Sequence, residues 1–143
     1  MLELGPDDRL LDVGCGPGVA VREAAPLVSR AVGIDLSPEM IDQARKIARD
    51  LPNAEFEVGD SERLPFPDGE FTAVLCTTSI HHYPHPGDAV REMARVLAPG
   101  GRIAIGDINR DRLSVGLLDL LLRHLQRSHA RILSSTELAA YVG

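Results

Sequence analysis

The 143-residue chain carries 15 Lys and Arg against 21 Asp and Glu, a formal net charge of −6, with 44% hydrophobic and 25% charged residues. A chain of this length buries about 70% of the surface its unfolded form exposes, so it makes one globular domain and is neither disordered nor collagenous. The acid excess, with Trp 0, Tyr 2 and Phe 3, argues against a nucleic-acid groove, which needs clustered cations and usually stacking rings.

Short apolar runs then alternate with helical periodicity. Leu10 to Val13 predicts a first strand that runs into Gly14-Cys15-Gly16-Pro17-Gly18 and a helix, which Pro26 should end or kink. Ala31 to Ile34 predicts the second strand. Ser37-Pro38-Glu39 opens a helix with an N-cap, a proline at the first helical position and an acid in the positive first turn; Met40, Ile41, Ala44, Ile47 and Ala48 form its apolar stripe. Ala54 to Val58 and Ala73 to Cys76 predict the third and fourth strands. A helix from about Gly87 to Leu97 is expected to stop at Pro99-Gly100-Gly101, with the first glycine in the left-handed position after the helix, and Arg102 to Ile105 predicts the fifth strand. Several runs are continuously apolar, as strands covered on both faces are, which implies a mostly parallel sheet. Beyond Asp107 the period is helical only: Leu113, Leu117, Leu120, Leu121 and Leu125 share one side, Arg123, His124, Arg127 and Arg131 form a basic stripe opposite, and Ser134-Ser135-Thr136-Glu137 reads as a capping box. The chain divides into a core over 1–107 and a helical segment over 108–143 for substrate or oligomer contacts, within a single domain spanning 1–143.

Cys15 and Cys76 are too few and too far apart for a disulfide framework or a metal knuckle and read as small core residues, which points to a reducing compartment. No apolar run is long enough to span a membrane, and the start lacks the basic region and apolar core of a signal peptide, so the expected location is cytoplasmic.

The glycine loop lies where backbone can approach a nucleotide-like ligand closely. Its third glycine falls one residue earlier than in the dinucleotide fingerprint, with Val19 at that place. Asp12, at the end of the first strand, would repel a pyrophosphate and attract an ammonium. An amino-acid head group suits this loop, and S-adenosylmethionine offers one without a phosphate. Asp35 closes the second strand, where an acid takes both hydroxyls of a ribose; its alternative, the helix N-cap, is already filled by Ser37. Asp60 follows the third strand, placed either to accept from an adenine amino group or to form an ordinary Asx turn.

Leu10 to Gly18 (LLDVGCGPG), Gly33 to Ser37 (GIDLS), Gly59 to Phe71 (GDSERLPFPDGEF), His81 to Pro86 (HHYPHP) and Arg91 to Gly101 (REMARVLAPGG) resemble the class I S-adenosylmethionine-dependent methyltransferases. Within them the likeness is to the small-molecule group that includes the ubiquinone and menaquinone biosynthesis C-methyltransferases, the methyltransferase type 11 domain, and it covers about Leu10 to Asp107. The resemblance implies that Asp12, Gly14, Gly16 and Gly18 hold the methionine part, Asp35 the ribose, and Asp60 with Ser61 the adenine. It places Leu36 and Met40 beside the adenosine, Cys76, Thr77 and Thr78 over the cofactor, and the loop of His81 and His82 at the acceptor. The chain departs from the family at Phe71-Thr72, where an acid is common, and in lacking an N-terminal helical extension and two last strands.

His81, His82 and His85 do not make a metal set, because neighbouring histidines in a proline-rich loop point apart; His82 is instead a candidate general base. The expected architecture is therefore α/β, a doubly wound, mostly parallel Rossmann-like sheet of order 3-2-1-4-5 with the family's last two strands absent. The expected function is methyl transfer from S-adenosylmethionine to a small, rather apolar metabolite. The rivals are a non-catalytic methyltransferase-like module and an NAD-dependent oxidoreductase. A fifth strand left bare at the sheet's border predicts a homodimer through the leucine-rich helix, or that helix folded over the edge.

Overall fold

A computed structural model describes residues 2–77, 80–106 and 130–134. Five strands and three helices alternate except where a loop joins β3 to β4: β1 (Arg9–Val13), α1 (Val19–Ala24), β2 (Arg30–Asp35), α2 (Pro38–Ile47), β3 (Ala54–Val58), β4 (Phe71–Thr77), α3 (Pro86–Val96) and β5 (Leu97–Gly106), with a final strand β6 (Ala130–Ser134). The sheet runs β3-β2-β1-β4-β5-β6, parallel except for the antiparallel β5–β6 pair. The predicted order 3-2-1-4-5 is thus present, flanked by helices. Among the described residues no helix is long and apolar enough to cross a membrane.

Alternation along the strands sorts side chains onto two faces. Leu11, Val13, Val32, Ile34, Val74, Cys76, Ile103 and Ile105 pack with Ala89, Val90, Met93 and Val96 of α3. On the other face Ala31 and Phe56 pack with Val21 of α1 and with Ile41 and Ala44 of α2. Leu10 and Asp12 alternate with Leu11 and Val13, so Asp12 lies on the face that α1 and α2 cover.

The helix signals are realised locally. Ser37 caps α2 by accepting from the Met40 N–H at 3.3 Å, with Pro38 in the first turn. Ile41, Ala44 and Ala48 of the expected stripe are buried, whereas Met40 is half-buried and Ile47 exposed. Pro26 does end α1 as an α-helix, and a 3-10 turn, Ala25–Leu27, follows.

Two expectations are corrected. Gly100 is left-handed, with φ 77°, but it does not cap α3: Leu97 is already extended, and the Pro99-Gly100-Gly101 segment lies within β5 beside a register shift between Phe71 and Ala73. The border of β5 is also not bare, since Arg102 to Gly106 pair with Ser134 to Ala130. Residues 108–143 are consequently not helical only, and the open edge from which the homodimer is argued does not exist. The leucine-rich stretch Leu113 to Leu125 and the helix expected after Ser134 lie outside the described residues.

Candidate functional site

Because β1 to β4 are parallel, their C-terminal ends fall on one border of the sheet, and the predicted site residues follow those ends. After β1 the chain turns at once: the N–H groups of Gly14 and Cys15 both donate to the Ile34 carbonyl, at 2.8 and 3.0 Å, which folds the glycine loop across the end of β2. Gly14, Gly16 and Gly18 all have positive φ, at 74°, 52° and 77°. Their surroundings differ. A Cβ on Gly16 would meet no atom within 4 Å, so it borders open space, while one on Gly18 would stand 2.5 Å from Phe56 Cε1. Gly18 therefore serves packing, which its place in the loop motif does not reveal.

Asp12 is 3% exposed, and its Oδ1 has no hydrogen-bond partner. Burial, and secondarily the Asp35 charge, push its carboxyl up to about 7. A buried acceptor without a donor is costly unless something supplies the donor. The neighbouring Cys15 thiol is pushed up as well, by burial first and then by Asp12 and Asp35, so it is an unreactive core thiol as expected.

Asp35 ties two segments together. Its Oδ2 accepts from Gly16 N–H at 2.8 Å and its Oδ1 from Ser37 N–H at 2.9 Å. A carboxylate offers about four acceptor sites, so each oxygen keeps capacity for a ligand hydroxyl. Asp60 is exposed, and its Oδ1 accepts from Glu62 N–H at 2.9 Å, an Asx turn that leaves the other oxygen available. Leu36, 73% exposed although apolar, stands between these acids in sequence, with Met40 and Ser61 half-buried nearby along the chain.

Cys76 differs from its expected role. Its side chain is wholly buried in the α3-facing core, with Sγ 3.8 Å from the Tyr83 hydroxyl, so its thiol does not line the crevice. His82 is exposed in the 3-10 turn Ile80–His82 that follows β4, at the same end of the sheet. Thr78 lies outside the described residues.

Sequence spacing concealed other partners. Glu62 accepts from His85 N–H at 2.7 Å and lies 3.0 Å from His85 Nδ1; with Asp88 these side chains place possible ligand atoms within 4.8 Å of one another. All are engaged already, Asp88 with Arg91, so the cluster fastens the start of α3. Thr72, where the resemblance leads one to expect an acid, accepts from Arg9 N–H at 2.9 Å and donates to Asp8 Oδ1 at 2.7 Å, a donation an ionised acid cannot make. An open groove of about 590 Å³ between α2 and β3, lined by Arg45, Arg49 and Phe56, is separate from the strand ends; there Arg45 covers the sheet's edge by donating to the Phe56 carbonyl at 2.7 Å.

The crevice features suit S-adenosylmethionine. A buried carboxylate oxygen without a donor matches an α-ammonium, open space over Gly16 admits close approach, and an exposed leucine next to Asp35 suits an adenosine.

The methyltransferase domain family matches residues 11–105. The 27-O-demethylrifamycin SV methyltransferase of Amycolatopsis mediterranei is 41% identical over 111 residues, which cover 75% of this chain and 41% of the relative. The demethylmenaquinone methyltransferase of Deinococcus radiodurans is 41% identical over 101 residues, covering 68% and 42%. The solved structure of an S-adenosylmethionine-dependent methyltransferase from Mesorhizobium loti is similar with a TM-score of 0.69 and 28% identity, covering 75% of this chain and 49% of that one. The chain spans about half the length, or less, of the curated relatives it matches.

Proposed function

The chain belongs to the methyltransferase domain family, whose cofactor is S-adenosylmethionine, and from that premise we propose that it transfers a methyl group to a small, rather apolar metabolite. The observation that carries the reading is the buried Asp12 carboxylate at the end of β1, whose Oδ1 has no hydrogen-bond partner. Asp12 takes the ammonium of the methionine part, while Gly14 and Gly16 let the backbone approach it. Gly18 keeps the loop seated on Phe56. Asp35 accepts from the ribose hydroxyls with the capacity left after Gly16 and Ser37. Asp60, with Ser61, accepts from the adenine amino group, and Leu36 and Met40 flank the rings.

Bound there, the cofactor supplies a methyl group already activated on a sulfonium. The chain's own task is to hold the acceptor in line with that methyl and to exclude water, which is catalysis by proximity. His82 removes a proton from an acceptor that must lose one, a role its exposure after β4, at the same end of the sheet, supports. The acceptor class is supported by relatives whose names specify a demethylrifamycin and a demethylmenaquinone.

The test is transfer of labelled methyl from S-adenosylmethionine to a panel of small hydroxylated and quinol-type acceptors, with the full natural protein. Transfer to at least one apolar acceptor, lost in Asp12→Asn, is expected. Tight cofactor binding without transfer to any member would favour the non-catalytic module instead.

A further inference from the structure

One polar cluster outside the crevice does no work in the scheme above. It joins α3 to the long loop between β3 and β4. Arg95 uses all five of its N–H donors: Nε and Nη2 donate to Glu92 Oε1 and Oε2 at 2.7 and 2.8 Å, Nη2 to the Leu64 carbonyl at 2.9 Å, and Nη1 to the Phe66 carbonyl and to Asp68 Oδ1, both at 2.8 Å. Glu92 Oε2 in turn accepts from Leu64 N–H at 2.8 Å. Leu64 thus has both its backbone donor and its backbone acceptor met by one side-chain pair, as a neighbouring strand would meet them. The hydrogen bond from Arg95, above all, holds the Glu92 carboxyl below its usual range, so the pair is ionised. A guanidinium with every donor engaged has one orientation, which a lysine cannot reproduce.

The same loop carries Asp60. A turn with Arg63 N–H on the Asp60 carbonyl at 3.1 Å and Glu62 N–H on Asp60 Oδ1 connects Asp60 to Leu64, whose side chain is buried in the core. Fixing Leu64 therefore fixes the turn that aims the free Asp60 oxygen.

We propose that Glu92 and Arg95 are positioning residues for the cofactor: by fastening the loop at Leu64, Phe66 and Asp68 they hold Asp60 where it selects an adenine amino group. The inference rests on the adenine-reading role given to Asp60 above. Neither residue touches the ligand, and their effect falls on base selectivity more than on general affinity.

The experiment compares binding of S-adenosylhomocysteine with that of its inosine counterpart, whose amino group is replaced by a carbonyl, by calorimetry. It uses the parent, Arg95→Met, Arg95→Lys and Glu92→Gln, with melting temperatures taken alongside. Arg30→Met, at the opposite end of the sheet, controls for lost stability alone. The parent should prefer the adenine form by about ten-fold or more, as expected for a hydrogen bond to a charged group. Arg95→Met and Arg95→Lys should bring the preference close to unity, Glu92→Gln should lower it part of the way, and Arg30→Met should leave it unchanged. Should Arg95→Met not fold, Glu92→Gln decides, since it keeps an acceptor for Leu64. A parent without preference removes the adenine role of Asp60 and the positioning role with it. A preference that the parent shows and the Arg95 and Glu92 variants retain overturns the positioning role alone.

Discussion

The two ends of the sheet carry the same residue types and treat them oppositely. At the N-terminal ends of the strands Asp8, Glu55 and Glu70 each meet a donor: Asp8 accepts from Thr72, from Gly5 N–H and from Arg102 Nη2 at 2.6 Å, while Arg30 donates to Glu55 through two nitrogens and also to Glu70. Arg30 further lies over the Phe71 ring, 5.8 Å from its centroid. At the C-terminal ends Asp12, Asp35 and Asp60 have no cation partner among the described residues, and Asp12 Oδ1 has no partner of any kind. The titration directions record the contrast. Burial alone would raise Asp8, but hydrogen bonds from Thr72 and Gly5 and the Arg102 charge outweigh it and leave the carboxyl below its usual value. Asp12, buried without such help, is pushed up to about 7. One end uses its acids to hold the fold together; under the function proposed above, the other offers its remaining acceptor capacity to a ligand.

Substitutions should separate the two ends, and the largest effect is expected at Asp12. At pH 8, Asp12→Asn should weaken S-adenosylhomocysteine binding about a hundred-fold, the scale for removing one partner of a buried charge pair. The same variant should raise the melting temperature of the ligand-free protein, because it removes a buried charge. The pH dependence has a definite sign. Asp12 titrates at about 7 when folded against an ordinary 3.8, so between those values the folded chain holds a proton that the unfolded chain has released. This group's contribution to stability is thus favourable to folding at the acid end of that window and declines as pH rises towards about 7, then levels off. Cofactor affinity should move the other way, rising as Asp12 ionises. Denaturant unfolding and calorimetry from pH 5 to 8 check both, and Asp12→Asn should flatten both slopes.

Asp35→Ala should come next, weakening cofactor binding by about 1.5 to 3 kcal/mol. It should also lower stability, because Asp35 holds Gly16 N–H and Ser37 N–H; an unchanged melting temperature would show those ties to be idle. Gly16→Ala should cost stability only about 1 to 2 kcal/mol, for a left-handed backbone without a clash, yet block close approach of the methionine part. Thermal melts with and without S-adenosylhomocysteine distinguish those effects. Arg30→Met should have the smallest functional consequence: a loss of about 1 to 2 kcal/mol of stability for half-exposed ion pairs, with cofactor affinity unchanged.

Much of this architecture is written in short-range pattern. Continuous apolar runs mark β1, β2 and β4 and an alternating one marks β3, the Ser37-Pro38-Glu39 start marks α2, and the acids at three strand ends are visible once the strands are drawn. What local pattern lacks is long-range pairing. β6 is a short Arg131-Ile132-Leu133 run beside a leucine periodicity that reads as helix, and only the unpaired border of β5 makes it a strand. The separate duties of Gly16 and Gly18 depend on where Phe56 lands from β3. Likewise, the fork of Arg95 onto Leu64 and Phe66 and the seat of Glu62 against His85 join segments that no spacing rule connects. The family resemblance puts Cys76 at the crevice, but alternation along β4 turns its side chain into the core.

Under the proposed function the acids at the C-terminal strand ends form a site for a phosphate-free, ammonium-bearing nucleoside. Calorimetric titration of the ligand-free parent with S-adenosylhomocysteine and, under the same conditions, with NAD tests it most directly. Saturable one-to-one binding of S-adenosylhomocysteine is expected, with no comparable binding of NAD, whose pyrophosphate would face Asp12. Equal or tighter binding of NAD would contradict it.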